Sequence, residues 1–599
     1  MATSTEKFEA RMWAAGPEVR GVLREAATFE AARRAVLDYL EERKRALRAP
    51  QVDVPSWEWE IADDCIDVLK NVFSAYYEEA AKFSALRALW QLARGKYSRR
   101  RKALAPGFFE EFRHLFLGIA GKSPVYEGKG LPTYAALTGR EAALARSREL
   151  DRLAADLEQG LGRYPSGLDE PLVSERRRNT RRVMKLLRAS EEDWQDWRWQ
   201  YGNVLRDRKT LQKVVTLSRE EARAVDLAVA KGVPFGVTPY YATLLRRRIS
   251  RGGVHSTRAQ VIPPLDYVQQ MVRFRGRRDF ECDFMLERDT SPVDLVTRRY
   301  PTIAILKPAS SCFQVCVYCQ RNWEITSPTE VAAVASQRKI DRALDWLAAT
   351  PAIREVLVTG GDPLMLTDDG LTHILDRLAA LRAVERIRIG TRTPVVAPMR
   401  LTQDLADLLA SYNDPGRREF AVVTHFQHSA EITPEAMRAV RRLRRRGLSV
   451  YNQAVFTYAN CRRFEMCKLR LDLRRIGVDP YYLFNAKAKE ELDLYRVPLP
   501  RLEQERKEEA RLLSGLARTD APVYNIPRLG KHNVIAWQHH RLIAILPDGR
   551  RMYEFQPWEK NITPEEVFVE ADVSLYDFLQ YLKNRGENIS DYRTIWYYF

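Results

Sequence analysis

The sequence predicts an α/β protein in which a large N-terminal all-helical region precedes an open, partial (β/α)6 barrel and a small C-terminal extension. Residues 1 to about 180 repeat apolar side chains at intervals of three and four, which is typical of amphipathic helices. Residues 302–485 then alternate apolar strands with helices, and a cysteine-rich loop follows the first strand. Such units imply parallel strands with right-handed crossovers, and six units rather than the eight of a closed barrel predict an open one.

Length, composition and cysteine count limit the domain number and the cellular compartment that we expect. With 599 residues and 45% hydrophobic content, the chain can fold as about two to four domains. The first residues lack a basic and then apolar signal, and no apolar run approaches the roughly eighteen residues of a membrane span, so we expect a cytoplasmic protein without a membrane partner. An odd number of cysteines, 7, favours a reducing compartment over a disulfide framework.

Four regions are predicted along the chain. They are an N-terminal helical domain of unassigned role, a helical segment that leads into the barrel, the barrel, and a C-terminal segment with an extension, at residues 1–175, 176–297, 298–500 and 501–599. Within the first region, helical periodicity is clearest over Glu18–Leu47, Trp57–Leu92 and Leu137–Leu161.

The net charge of +18 comes mostly from arginine-rich clusters, at residues 98–102, 176–182, 246–251, 273–278 and 441–446. Such clusters could bind the phosphates of a nucleic acid. Most of them, however, lie in helical patterns with apolar residues on the other face, which favours a solvated helix surface. We therefore do not expect a nucleic acid as a partner, although an iron-sulfur protein that binds nucleic acid remains an alternative of another class.

The barrel region contains the strands and helices from which the fold class is predicted. The predicted strands are Thr302–Lys307, Glu355–Thr359, Arg386–Gly390, Phe420–His425, Ser449–Val455 and Tyr481–Asn485. The predicted helices between them are Lys339–Ala349, Leu371–Leu381, Gln403–Ser411, Pro434–Arg446 and Phe464–Ile476. In a barrel of parallel strands, the loops that follow the strands carry the chemistry.

Three cysteines, Cys312, Cys316 and Cys319, follow the first strand with the spacing CxxxCxxC. Three thiolates without a fourth suit a [4Fe-4S] cluster that leaves one iron open to an outside ligand. A structural zinc site is a weaker interpretation, because zinc needs four ligands and no further cysteine or histidine pair follows at zinc spacing. Three buried cysteines without a metal are the remaining alternative.

Later loops add polar groups at the same end of the predicted barrel. Glycines let the backbone approach a ligand closely, and an exposed aspartate or the backbone beside it can hold an ammonium group. The residues concerned are Gly360, Gly361 and Asp362 after the second strand, Arg392 after the third, His425 after the fourth and Gln453 on the fifth.

Together these loops resemble the lysine 2,3-aminomutase family of radical S-adenosylmethionine (SAM) enzymes. The match is collinear from about Trp194 to about Lys531, through DWQDWRWQ, TPYY, RRYP, GGDPL, IRIGTRTPVV, HFQHSAEIT, NQAVF and DPYYLFNAK. The resemblance implies a radical SAM barrel whose cofactors are a [4Fe-4S] cluster, SAM and pyridoxal 5′-phosphate (PLP). It also implies that the glycine, aspartate, arginine, histidine and glutamine residues named above line the SAM site.

The resemblance further implies how PLP would be held. Lys531 would be the catalytic lysine that links covalently to PLP, and Arg299 and Tyr300 would contact the cofactor. Where the family has a second arginine that binds the phosphate, this chain has Ile303. We expect phosphate binding to be supplemented from elsewhere, with Arg298 as a candidate.

Substrate choice is the next implication. Arg321 would clamp the substrate α-carboxylate, since its planar fork binds a carboxylate through two parallel bonds. Lys487 and Asn525 stand where the lysine enzyme has two aspartates that hold an ammonium, and one residue of slippage would replace Asn525 by Tyr524. A cation and an amide favour a carboxylate, and this exchange resembles glutamate 2,3-aminomutases. A solvated Lys487 is the alternative.

A zinc site is not expected. The resemblance implies that one zinc ligand of the lysine enzyme corresponds to Cys461 and that three more lie near the C-terminus, but no cysteine follows Cys467 here.

The expected function is therefore a radical SAM, PLP-dependent amino acid 2,3-aminomutase, an isomerase that converts an α-amino acid to its β-isomer. The expected substrate is glutamate, because its side-chain carboxylate suits Lys487 and Asn525. The expected partners are a small amino acid substrate, an electron donor such as flavodoxin or ferredoxin, and further copies of the chain in a homo-oligomer. A radical SAM enzyme of this lineage that acts on lysine, another amino acid or a peptide is the alternative.

Overall fold

The computed structural model describes residues 4–48, 54–97, 104–127, 130–245, 256–274, 283–330, 333–486, 489–535, 540–557, 564 and 566–599. The chain divides into two compact units. Unit 1 comprises Met1–Asp156, Val497–Glu508 and Val534–Phe599, and unit 2 comprises Leu157–Arg496 and Glu509–Asn533.

Unit 2 is built on a nine-stranded sheet in which the strands follow one another in chain order. The strands are β1 Val296–Thr297, β2 Ile303–Ala309, β3 Glu355–Gly360, β4 Arg386–Gly390, β5 Glu419–Thr424, β6 Ser449–Phe456, β7 Asp479–Asn485, β8 Ala521–Ile526 and β9 Gly530–Asn533. Strands β2 to β8 pair in parallel, whereas β1 and β9 are antiparallel to their neighbours. Because β1 and β9 are the two ends of this order, the sheet is an open barrel.

The fold class predicted from the sequence is confirmed, and all six predicted strands are present as β2 to β7. The sheet also contains a seventh parallel strand, β8, which carries Pro522 at its second position. Proline cannot donate to a ladder and is unusual inside a sheet, so the local pattern did not predict this strand. Strand β9 then returns antiparallel to β8, with Asn525 opposite Lys531.

The crossover helices of the barrel lie where the periodicity predicts them. Their bounds are Gln337–Ala348, Asp368–Ala380, Gln403–Ser411, Pro434–Arg444 and Glu465–Arg475. Each has an apolar stripe at helical spacing; in the first, Ile340, Leu344 and Leu347 are buried. Shorter helical turns occupy the loops: Pro363–Met365, Thr393–Val396, Pro398–Arg400, Ser429–Glu431, Glu490–Tyr495, Ala510–Leu512 and Gly515–Ala517.

A series of helices precedes the barrel within unit 2. They are Glu170–Leu187, Glu191–Gln195, Trp197–Gly202, Arg208–Val214, Arg219–Lys231, Pro239–Ala242, Ser256–Ala259, Leu265–Arg273 and the short turn Arg288–Thr290. Tyr240 and Tyr241, from one of these helices, are fully buried. Their hydroxyls contact Thr433 and Glu431 on the loop after β5, so this series supports the barrel loops.

Unit 1 begins with helices, in shorter pieces than the periodicity predicts. The helices are Ser4–Ala15, Pro17–Glu25, Phe29–Ala46, Trp59–Val72, Ala75–Ala81, Ala85–Ala93 and Pro106–Ile119. The helix Gly139–Gly162 contains the division between the units. Thr28 and Ser84 cap new helices by accepting from Ala31 and Arg87, which is why two of the predicted segments are interrupted.

The C-terminal residues complete unit 1. They form a three-stranded antiparallel sheet, β10 His540–Ile545, β11 Arg551–Phe555 and β12 Phe568–Ala571, followed by the helix Leu575–Asn584 and the turn Ile589–Tyr597; the helix Leu499–Gln504 also belongs here. Arg551 binds both carboxylate oxygens of Glu111, at 3.1 and 3.0 Å from its Nε, and donates to the carbonyls of Trp596 and Tyr598. The predicted boundaries at 175 and 501 therefore differ from the observed division, because the N-terminal helices and the C-terminal sheet share buried contacts.

The arginine clusters that the structure describes lie on helix surfaces. Arg177, Arg178 and Arg181 are exposed on one helix, and Arg441 and Arg445 at the end of another. The clusters at 98–102 and 246–251, and most of the cluster at 273–278, lie outside the described residues. Within the described ranges, no helix combines the length and apolar character needed to cross a membrane.

Candidate active site

A cavity of about 300 Å3 lies inside the barrel and is lined by residues from β2 to β9 and from the loops that follow them. The sequence-predicted site residues that line it are Cys312, Cys316, Cys319, Gly360, Gly361, Asp362, Arg392, His425, Gln453, Arg299, Tyr300, Lys531, Arg321 and Asn525. Lys487 lies outside the described residues. Residues 200 and more apart in sequence are thus brought to one cavity by the parallel order of the strands.

The cysteine loop and the glycine loop are held together by their backbones. Gly361 donates to the carbonyl of Ala309 at 2.6 Å, and Asp362 donates to the carbonyl of Ser311 at 2.8 Å. A Cβ on Gly361 would lie 2.0 Å from the Ser311 oxygen, and Gly360 has a φ of +104°. Only glycine permits this approach, so the glycine pair positions the loop that presents the cysteines.

The position of Asp362 corrects the expectation of an exposed carboxylate. Asp362 is buried, with only 4% of the residue exposed. Its oxygens accept from Thr391 Oγ1 at 2.7 and 2.8 Å, from Thr393 Oγ1 at 3.0 Å, and from the backbone nitrogens of Leu364 and Arg392. The carboxylate therefore ties the loop after β3 to the loop after β4, and the backbone of Gly360 and Gly361 is left to meet a ligand.

Arg392 connects the cysteine loop to a buried polar cluster. Its Nη1 donates to Cys316 Sγ at 2.7 Å, and its Nη2 donates to Glu431 Oε1 at 2.8 Å and to Gln260. The side chains of Arg392 and Glu431 are 9% and 0% exposed. The sequence analysis identified neither Glu431 nor Gln260, although Glu431 lies in the HFQHSAEIT motif. This pair aims a permanent positive charge at a cysteine sulfur.

The thiols themselves fit a metal cluster. Burial and the neighbouring thiols raise the pKa of Cys319 to about 11, and burial, Asp362 and the other thiols raise the pKa of Cys312 well above its ordinary value. Three thiolates side by side are thus unfavourable without cations to bind them. An iron cluster supplies those cations, and three sulfur ligands are the set that leaves one iron open.

His425 lies on the cavity wall at the end of β5. Burial and the charge of Arg392 lower its pKa to about 4, although a hydrogen bond with the Gln453 backbone opposes this shift. The imidazole is therefore neutral near pH 7. A neutral ring beside the glutamine of β6 suits the wall of a site for a bulky, polar ligand such as SAM.

Lys531 lies on β9 and lines the same cavity. Burial and the charges of Arg388 and Arg299 lower its pKa to about 8, and its Nζ donates to the Tyr300 hydroxyl at 3.3 Å. The preceding Gly530 has a φ of +91°, and a Cβ there would lie 2.8 Å from that hydroxyl. A buried lysine with a lowered pKa is a better amine nucleophile, so the site fits PLP attachment.

Glu287 is a site residue that the sequence analysis missed. It is 1% exposed, and its carboxylate lies 3.0 Å from Arg299 Nη2, 3.1 Å from Arg321 Nη2 and 3.1 Å from Lys307 Nζ. These three cations lower its pKa far below the ordinary range. In the sequence it is one acidic residue close to the RRYP motif, and no local pattern indicates that it joins the two predicted arginines.

Asn525 lines the cavity and is 6% exposed, whereas Tyr524, the residue that one step of slippage would place there, is not among the described residues that line it. Arg298, the candidate to supplement phosphate binding, instead donates to the carbonyl of Pro301 at 2.7 Å.

Comparisons with known proteins agree with this site. The radical SAM superfamily matches residues 306–459. A KamA family protein of Methanocaldococcus jannaschii, named as uncharacterized, is 41% identical over 605 residues, which cover 97% of this chain and 96% of that protein. An L-lysine 2,3-aminomutase of Fusobacterium nucleatum is 34% identical, covering 52% of this chain and 69% of the enzyme. A glutamate 2,3-aminomutase of Clostridioides difficile is 31% identical, covering 58% of this chain and 77% of the enzyme.

The superfamily match and these relatives imply a [4Fe-4S] cluster, SAM and PLP as cofactors. The chain therefore belongs to the KamA family of radical SAM proteins and is an isomerase of the aminomutase type.

Proposed function

We propose that this protein is a PLP-dependent 2,3-aminomutase that acts on glutamate or another amino acid with an acidic side chain. The observation that carries the proposal is one cavity that brings together three cysteines, a lysine with a lowered pKa and a carboxylate-binding arginine. Its cofactors supply radical generation and a carrier for the migrating amino group, and the protein binds, orients and shields them.

Cys312, Cys316 and Cys319 would hold the cluster. Arg392, which already donates to Cys316, would offset part of the negative charge that three thiolates bring. The backbone of Gly360 and Gly361 lies directly against the cysteine loop, so a SAM molecule on the open iron would meet it. His425 and Gln453 line the same wall.

Lys531 would carry PLP. Its lowered pKa leaves a larger share of neutral amine at pH 8 than an ordinary lysine has, and neutral amine is the form that attacks a carbonyl group. Tyr300, 3.3 Å from Nζ, would orient the amine, and Arg299 lines the cavity beside it. Lys531, Tyr300 and Arg299 are all partly buried, which limits the access of water to the amine.

Arg321 would bind the substrate α-carboxylate. Glu287 engages its Nε at 3.2 Å and lies 3.1 Å from its Nη2, which leaves further N–H groups of the guanidinium for a substrate. The same guanidinium lines the cavity two residues after the last cysteine. The carboxylate of Glu287 thus orients Arg321 rather than saturating it.

The proposal of an acidic substrate rests on the charge of the residues assigned to its side chain. Asn525 lines the cavity and offers an amide, and the alignment adds the cation Lys487. With Lys487 at the substrate, an ammonium on the substrate side chain would put two like charges close together, whereas a side-chain carboxylate gains a charge-assisted bond. One relative of this chain is named as a glutamate 2,3-aminomutase.

The test offers glutamate, aspartate, lysine, arginine and alanine to the anaerobically reconstituted protein with SAM, PLP and an electron donor such as reduced flavodoxin or ferredoxin. We expect the β-isomer of an acidic amino acid as the fastest product, and its loss in Lys487→Asp. The control is Lys339→Asp, because Lys339 is exposed on an outer helix of the barrel unit. Faster conversion of lysine than of glutamate would contradict the proposed substrate.

A further inference from the structure

Strand β4 places an arginine on the inner face of the barrel that the proposed function does not use. Arg388 is paired in register with Leu357 of β3, and Leu357 is paired with Ile305 of β2. Both of those residues line the cavity, as does Gly390, two positions along the same strand. Side chains two apart on a strand share a face, so Arg388 lies on the inner face of the barrel, next to residues that line the cavity.

Arg388 is buried and only partly paired. Its side chain is 12% exposed and forms an ion pair with Glu355 on β3. Its Nε is buried with no hydrogen-bond partner among the residues that the structure describes. Buried polar groups are normally satisfied, so an N–H that lacks a partner beside a cavity indicates a ligand that completes it.

A second arginine near the cavity has the same property. Arg299 lines the cavity with a side chain that is 7% exposed, and its Nε also has no hydrogen-bond partner within the described ranges. Lys531 lines the same cavity and donates to the hydroxyl of Tyr300, the chain neighbour of Arg299, at 3.3 Å, and the charges of both arginines lower the pKa of Lys531. The carboxylate of Glu355 partly offsets this effect, because it raises the pKa of Lys531. Although Glu355 and Glu287 pair with the two arginines, both guanidinium Nε groups remain without a hydrogen-bond partner among the described residues.

We propose that Arg388, together with Arg299, binds the phosphate group of the PLP that Lys531 carries. The inference rests on the proposed PLP dependence and extends it to a residue that replaces the missing arginine at Ile303. A phosphate monoester carries nearly two negative charges at neutral pH and accepts several hydrogen bonds, which matches two guanidinium groups with unused N–H donors. Arg298 donates to the carbonyl of Pro301 and is not among the described residues that line the cavity.

The experiment compares PLP with pyridoxal, which has the same aldehyde and ring but no phosphate. The apoprotein is titrated with each compound, followed by absorbance, and the adduct is trapped with borohydride and mapped. In Arg388→Gln we expect the affinity for PLP to fall about ten- to a hundredfold, since one charge-assisted contact is lost. The affinity for pyridoxal should change little, and Arg388→Lys should retain part of the preference for PLP.

Arg386→Gln is the matched control. Arg386 lies two residues earlier on β4 and pairs with the same Glu355 at 3.0 Å, but its side chain is 47% exposed. This variant should keep the wild-type ratio of PLP to pyridoxal affinity. If Arg388→Gln does not fold, as judged by circular dichroism, the ratio in Arg388→Lys decides.

Two results would overturn the inference. If Lys531 of the wild-type chain is modified by PLP but neither Arg388 variant lowers the preference for PLP over pyridoxal, Arg388 does not bind the phosphate and the proposed function stands. If borohydride traps no pyridoxyl group on Lys531 of the wild-type chain, the proposed PLP dependence and this inference fail together.

Discussion

The carboxylate of Glu287 faces the guanidinium of Arg321 side-on: Oε2 accepts from Nε at 3.2 Å, and Oε1 lies 3.1 Å from Nη2. The same carboxylate meets Arg299 and Lys307. One buried anion therefore sets the positions of two arginines to which we assign different ligands, the PLP phosphate and the substrate α-carboxylate.

The first prediction concerns Glu287→Gln. A neutral amide cannot offset three buried cations, so we expect the free energy of unfolding to fall by about 3 kcal/mol and KM for the amino acid to rise. Denaturant unfolding and steady-state kinetics measure the two effects. Asp289→Asn, at an exposed pair with Arg528, is the control and should change neither. An unchanged KM would show that Glu287 does not position Arg321.

The second prediction concerns the contact between the two loops. Gly361→Ala puts a methyl group 2.0 Å from the Ser311 carbonyl oxygen, so the cysteine loop must shift. We expect iron content and SAM binding to fall. Gly370→Ala is the control, because its nearest contact would be an ordinary 3.4 Å and it lies in the first turn of a helix. Full iron content in Gly361→Ala would mean that the loop tolerates the shift.

The third prediction concerns the cluster ligands. Replacing any one of Cys312, Cys316 and Cys319 by alanine should abolish SAM cleavage and remove most of the bound iron and sulfide, since the cluster depends on three thiolates. Cys461→Ala, at a buried cysteine of the same unit, should keep both. Iron and sulfide analysis of anaerobically reconstituted protein gives the answer, and a full complement in any of the three variants would refute that ligand.

The fourth prediction concerns pH. Lys531 has a lowered pKa of about 8, so its amine loses a proton as pH rises through that value, and the rate of PLP attachment should rise with a midpoint near pH 8 and then level off. Borohydride quenching and peptide mapping of the apoprotein follow the reaction. Exposed Lys339, in the same digest, is the control and should carry little pyridoxyl group. A rate still rising steeply above pH 9 would show that Lys531 is not desolvated.

The fifth prediction concerns unit 1. Glu111→Ala leaves Arg551 buried without its carboxylate partner, so we expect a loss of about 3 to 5 kcal/mol in unfolding free energy. Asp548→Asn, at the exposed pair with Arg550, is the control and should cost less than about 1 kcal/mol.

The contact between Glu111 and Arg551 also predicts the result of a truncation: removal of residues 1–156 alone should expose the C-terminal sheet and make the protein aggregate. A soluble, folded truncation would contradict this expectation.

Much of the barrel could be predicted because its signals are local. Apolar runs of strand length, helices with one apolar stripe and the cysteine spacing are each contained in a few dozen residues. The strand β8 escaped prediction because Pro522 opposes a strand locally and the strand is stabilised by pairing with β7 and β9. The buried state of Asp362 escaped for a similar reason, since its partners Thr391 and Thr393 are about thirty residues away.

The alternation of strands and helices, the three-cysteine loop and the order of the loops that meet at the cavity could be predicted from the chain alone, because they follow from periodicity and from the direction of parallel strands. Three relations became visible only in the folded molecule: Glu287 joins two arginines, Arg388 lies on the inner face of the barrel, and the C-terminal sheet packs with the N-terminal helices. These relations depend on which residues from distant parts of the chain share one buried volume, where an unpaired charge is costly and must find a partner.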